Sequence, residues 1–385
     1  MQKYITVYTD MTEISSPGQS KKYQRYQLVF SIIEFIIGLG FLIAILSTGL
    51  TIQLEEGIRH YIQNNYAVLI VFVTLLGIGE AIILFPFTFT SGYIIEHRFE
   101  LSDQSLSSWF WERTKQILIS YPIMLVLIVI FYALLRRFPN NWWIIMGSIL
   151  ILFSILLARI APVLLFPLFY KFKPLEDESL ATDVSKLCKK VGLRLEGVYQ
   201  FNLSKTTRKA NAAFTGIGKS KRVILGDTLL TKLEPGEILA VLAHELGHFK
   251  LKHIWKGMAI GILMTYAGLF LVSTAYDSAR ALFQFSHSAQ IAALPVIGIL
   301  LTIYQFFTAP LTNAYSRSNE RAADDFAVDM TGNPESFISG LNKLADQNLS
   351  DRTPHPVVEF LFYSHPSIEK RIARLKNDRK RLPVL

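Results

Sequence analysis

The chain has 385 residues, 51% of them hydrophobic and only 18% charged, with a formal net charge of +9. That balance excludes an ordinary soluble domain and points to a membrane; the positive charge reads as Lys- and Arg-rich loops on one membrane side, so no nucleic-acid partner is expected. The single cysteine, Cys188, excludes an intramolecular disulfide framework and reads as packing.

In chain order, residues 1–26 are polar and carry Lys21, Lys22 and Arg25 just before the first apolar run, which has no convincing cleavage site after it. Four apolar stretches of bilayer-spanning length are expected at 28–50, 67–89, 117–135 and 142–169. A polar interval follows, and then two more spans at 257–276 and 291–309. The domain plan is a membrane part at 1–170, a first catalytic part at 171–256, two spans within 257–309, and a second catalytic part at 310–385. The basic residues fall mostly in 1–26, 171–256 and 310–385, which places those segments in the cytoplasm; the Arg136 and Arg137 pair is a mild dissent. Glu34, Glu80 and Arg159 lie within spans, where ionisable groups face a protein interior or a wet cavity.

Within the polar interval, 176–191 reads as an amphipathic helix, and 197–202, 211–216 and 222–226 read as strands. The last two form a hairpin, joined by a turn containing Gly and Lys, whose free edge could pair with an extended peptide. Next comes Val241-Leu-Ala-His244-Glu245-Leu-Gly-His248-Phe249. A helix is expected here, because Pro235 suits a first turn and Glu234 and Glu237 favour its positive end. Spacing of i and i+4 puts His244 and His248 on one helical face. Two imidazoles and one further ligand leave zinc an open position for a water of lowered pKa, and Glu245 is placed to take that water's proton. By chance alone, eight histidines in 385 residues give this motif roughly 0.01 times per chain of such composition.

The third ligand must come from elsewhere. Ile254 stands where a third histidine would extend the motif, and on a continuous helix His253 would be about 140° round from His248. Glu320 and Asp324 are again i and i+4. Glu320 would complete a His₂Glu set, and Asp324 would orient one histidine through its second nitrogen.

Together with Asn211-Ala212, Ser364-His365-Pro366 and Arg371, these motifs resemble the type I CAAX prenyl protease family of integral-membrane zinc endopeptidases. Tyr93-Ile-Ile-Glu96, Phe172-Lys-Pro-Leu-Glu176 and Gly226-Asp-Thr-Leu-Leu230 fit as well, so the resemblance spans about 65–380. It implies His244, His248 and Glu320 as ligands of one Zn²⁺ per chain, and Glu245 as general base. It also implies Asn211 and Ala212 on the substrate backbone, and His365 and Arg371 near the substrate and its developing oxyanion. Six spans rather than seven make a bacterial relative the expectation. The spans would then enclose a water-filled chamber onto which the metal site opens.

The expected fold is therefore a polytopic α-helical membrane protein of about six spans carrying a gluzincin-like α+β metallopeptidase domain. The expected function is zinc-dependent peptide hydrolysis near the C-terminus of a lipidated or membrane-associated substrate. The expected location is a bacterial inner membrane, or the endoplasmic reticulum in a eukaryote. A quality-control membrane protease of the heat-shock type is the alternative, though four spans before the motif argue against it. The sequence leaves the oligomeric state open.

Overall fold

The computed structural model describes residues 17–215 and 221–378. The start of the polar N-terminus, the hairpin turn with Gly216, and the end of the C-terminal tail lie outside the described residues.

Six helices among the described residues are long and apolar enough to cross a membrane. Helix α1 (Pro17–Ser47) runs into the amphipathic α2 (Leu50–Tyr61). The first span therefore stops three residues short of the expected limit, because Gly49 turns the chain at φ 73°. Helix α3 (Asn65–Phe89) continues through a π-turn to Arg98. Helices α4 (Leu106–Arg137) and α5 (Trp142–Ile160) come next, and α5 reaches Phe169 through a second π-turn at Pro162.

The polar interval builds a four-stranded sheet, β1 (Phe172–Pro174), β2 (Gly197–Phe201), β3 (Ala212–Thr215) and β4 (Arg222–Gly226), in the order β1-β2-β4-β3. The three expected strands form, and β3 and β4 pair antiparallel as a hairpin. The short β1 was not legible, since Pro174 ends it after three residues. One sheet face carries Val198, Val223 and Leu225 into a core shared with α6 (Glu178–Lys190) and α7 (Pro235–Lys250). Cys188 lies in that core, where burial pushes its thiol up to about 12.

The chain then returns to the membrane as α8 (His253–Leu282) and the long α9 (Leu294–Thr331). Three helices close the catalytic part: α10 (Pro334–Gln347), α11 (Pro356–Phe362) and α12 (Ile368–Asp378). The spans hold together chiefly at the end remote from that part. There Leu46, Leu135, Trp142, Tyr276, Phe285 and Val296 share one core. In mid-membrane they touch little: of the most apolar eighteen-residue stretch, only 6% of the first and third spans and none of the fourth is buried. Glu34 of α1 accepts from Ser91 Oγ at 3.3 Å.

Candidate metal centre and active site

Helix α7 starts as its sequence dictates. Pro235 occupies the first turn, and Glu234 and Glu237 form a reciprocal capping box. Glu237 is buried, and Ser339 Oγ and Lys343 Nζ of α10 hold its carboxylate at 2.6 and 2.8 Å. Burial alone would raise its pKa, but these partners hold it below the ordinary 4.5. The cap thus fixes both the start of α7 and its packing on α10.

Helix α9 crosses α7 at close range. A Cβ at Gly247 would stand 3.1 Å from Ala323 Cα and 3.2 Å from its carbonyl oxygen. Only glycine permits this approach, and it brings His244 and His248 against Glu320 and Asp324. His244 Nε2 lies 3.2 Å from His248 Nε2 and 3.2 Å from Glu320 Oε2, and His248 Nε2 lies 3.2 Å from Glu320 Oε1. Donors on a tetrahedral ion with bonds near 2.05 Å should be about 3.3 Å apart, which is the spacing of the two imidazole nitrogens and of each from one oxygen of the Glu320 carboxylate. Glu320 Oε2 has no hydrogen-bond partner although it is buried, as suits an atom meant for a cation. Burial works against charge on His244, yet Asp324 and Glu320 at its two nitrogens outweigh it and push the pKa up to about 9. The residues fit a bound divalent ion.

Behind the ligands lies a second layer. His244 Nδ1 donates to Asp324 Oδ1 at 2.8 Å, leaving Nε2 free for the metal. His248 Nδ1 is 3.0 Å from His253 Nδ1. With Nε2 of His248 kept for the metal, Nδ1 carries the proton and donates to His253. A continuous helix would have turned His253 away, but α7 ends at Lys250 and Lys252 adopts φ 59°. That break swings His253 back onto the site.

Glu245 is partly exposed and makes no hydrogen bond or ion pair with any described residue. His365, at the mouth, places Nε2 3.3 Å from Glu320 Oε1, and Ser364 Oγ lies 2.9 Å from its Nδ1. Arg371 is buried, and its Nε and Nη2 donate to Asp324 at 2.9 and 2.5 Å. Its Nη2 also lies 3.5 Å from His244 Nδ1, on the side away from the metal-facing Nε2. Two of its three nitrogens thus face Asp324 and the far side of the His244 ring.

Asn211 precedes the edge strand β3, which lies alongside α7. Asn211 O accepts from Gly226 N at 2.9 Å, and Ala212 pairs with Leu225. This segment is moored to the first spans by a set that sequence reading did not connect. Lys209 Nζ donates to Tyr23 OH at 2.8 Å and sits 3.0 Å from Glu96, which also accepts from Tyr23. Asn348 Oδ1 then accepts from Ala210 N at 2.8 Å. The Tyr93-to-Glu96 motif was the available signal, but no spacing rule tied Glu96 to a lysine 113 positions away.

Comparison with known proteins agrees with this geometry. The profile of Peptidase family M48 matches residues 174–379, and that described as CAAX prenyl protease N-terminal, five membrane helices, matches residues 11–171. The described residues of the latter stretch hold four helices of spanning length. An uncharacterized metalloprotease of Bacillus subtilis, YhfN, is 29% identical over 96% of this chain and 88% of that protein. CAAX prenyl protease 1 of Saccharomyces cerevisiae is 27% identical over 83% of this chain and 74% of its own length. The crystal structure of Ste24p from S. mikatae superposes with a TM-score of 0.85 at 26% identity, covering 96% of this chain and 91% of that one. The histidine–glutamate triangle, the six spans and these likenesses lead to one conclusion: the chain belongs to peptidase family M48 and is a membrane-embedded metalloendopeptidase of the Ste24 type.

Proposed function

We propose that the metal is zinc, one per chain, held by His244, His248 and Glu320, and that the enzyme cleaves near the C-terminus of a lipidated or membrane-associated peptide. The observation that carries the metal assignment is the cluster of His244 Nε2, His248 Nε2 and the Glu320 carboxylate, with the two nitrogens 3.2 Å apart and each 3.2 Å from one carboxylate oxygen. When bound, zinc polarises the scissile carbonyl and acidifies a water.

The chain's own residues do the rest. Asn211 and Ala212, at the free edge of β3, hold an extended substrate by main-chain hydrogen bonds. Glu245 takes a proton from the attacking water as its oxygen bonds to the carbonyl carbon, then gives that proton to the departing amine nitrogen as the C–N bond breaks. His365 is the ring N–H donor at the mouth, suited to charge developing on the substrate oxygen. Arg371 positions Asp324 and through it the His244 ring. The lipid preference is supported by the names of the relatives and by a site raised on membrane spans. The cytoplasmic placing of the catalytic part is supported by the Lys and Arg concentrated in it.

The test compares a peptide ending in farnesyl-cysteine plus three residues with the same peptide lacking the prenyl group. Wild-type protein should cleave the prenylated form preferentially. Glu245→Gln should retain its metal and lose at least about 10²-fold in kcat, the scale for a lost general base. Wild-type turnover by Glu245→Gln would remove the catalytic assignment, and equal cleavage of both peptides would remove the lipid preference alone.

A further inference from the structure

On the side of Arg371 away from the metal lies a cavity of about 320 Å³ between α9, α11 and α12. Five cations line it (Arg317, Arg321, Lys370, Arg371 and Arg374), against two carboxylates, Asp324 and Glu359. Asp324 is taken by Arg371, and Glu359 by Lys370 at 2.7 Å. Arg374 is met by Asp325 outside the lining. Two guanidinium charges remain without a carboxylate among the described residues. Arg317 is only 9% exposed, and it donates to the backbone carbonyls of Glu359 and Tyr363 at 3.0 and 2.6 Å. Arg321 is exposed and has no side-chain partner among the described residues. Concentrating unneutralised charge in a concavity with one buried member is costly unless an anion shares it.

The depth of the cavity narrows the choice of anion. Asn313 donates to Leu361 O and Arg317 to Glu359 O, so α11 crosses α9 one to two turns beyond the apolar run that ends near residue 309. At 1.5 Å per residue that is roughly 6–12 Å from the hydrocarbon edge, which is headgroup depth and slightly beyond. The neighbouring surface is apolar: Val357, Phe360 and Leu311 are 55, 51 and 60% exposed. An apolar collar below a cationic cup matches a lipid whose chains lie against the collar and whose phosphate enters the cup.

We propose that this cavity is a phosphate-binding site, occupied by the headgroup of an anionic phospholipid of the surrounding leaflet. Arg321 and Arg317 are the principal partners, and Val357, Phe360 and Leu311 seat the acyl chains. Arginine's planar fork suits a phosphodiester better than lysine would.

The experiment uses the full chain in nanodiscs of phosphatidylcholine, with or without one third phosphatidylglycerol, and in detergent with short-chain forms of both lipids. Phosphatidylglycerol should bind more tightly than phosphatidylcholine and should protect the backbone amides of α11 and the start of α12 from hydrogen exchange. Arg321→Gln should weaken that binding about fivefold, and Arg321→Glu further, since each basic residue near the surface contributes roughly that factor. Both substitutions are on the exposed rim, and metal content reports that the fold is retained. Inorganic phosphate added to phosphatidylcholine discs separates the sources: protection by phosphate alone supports the phosphate site and overturns the lipid as occupant. Equal binding of the two lipids, or equal affinity in wild type and both Arg321 variants, overturns the proposal.

Discussion

Replacing Gly247 by alanine should separate metal binding from fold stability. Gly247 lies between His244 and His248 on α7, and its would-be Cβ meets Ala323 Cα at 3.1 Å, Ala323 O at 3.2 Å and Phe326 Cδ1 at 3.2 Å. Ala323 is the residue between Glu320 and Asp324 on α9 that faces this crossing. Ordinary carbon contacts lie near 3.5–4.0 Å, so the helices must part by roughly 0.5 Å. Such overpacking costs about 1–3 kcal/mol, and alanine's better helix propensity offsets about 1 kcal/mol of it. The apoprotein should therefore lose at most about 2 kcal/mol. A metal site, however, tolerates only about 0.2 Å in its ligand distances. Moving Glu320 by twice that should weaken metal binding at least about tenfold. Metal retained against a graded chelator, set beside the thermal midpoint of the metal-free protein, measures both effects. A variant with wild-type chelator resistance would refute the claim that this contact sets the ligand triangle.

Asp324→Asn should keep the ligands but lose the carboxylate that orients His244 and neutralises Arg371, weakening metal binding about 10- to 100-fold by chelator competition. Arg371→Lys should act in the same direction and more weakly, because a lysine cannot bridge both Asp324 oxygens; a selective loss of kcat with full metal affinity would instead return Arg371 to the substrate. Glu237→Gln should cost about 1–3 kcal/mol in denaturant unfolding at neutral pH, since Lys343 loses its partner and the cap its charge. Because the Glu237 pKa is depressed on folding, its contribution is complete above the ordinary 4.5 and disappears as pH falls through the folded value. Wild type and variant should thus converge in stability toward acid pH, and a gap independent of pH would assign the effect to packing alone.

The legible parts of this protein were those written as local periodicity or short spacing. Spans need about twenty apolar residues, so each left a continuous run; most of the helices extend beyond those runs, and the first ends early at the left-handed turn at Gly49. The i and i+4 pairs on α7 and α9 were visible because one helical turn brings such residues to one face. That the two faces meet depends on Gly247, whose lack of a side chain carries no periodic signal. The same limit hid the part of the second layer that His253 supplies. Extrapolating α7 at 3.6 residues per turn put His253 away from the site, whereas the chain breaks at Lys252 and returns it to His248. Helix periodicity holds only while the helix does, and Lys252, at an unfavourable φ of 59°, stands directly before the spanning helix α8. Helix α7 is thereby joined to a span through a single turn at Lys252. Lys209 and Glu96 moor the edge strand to the first and second spans in the same manner. Helix α7 and the edge strand β3 are therefore both fixed to the membrane helices by contacts that no local pattern in the sequence encodes.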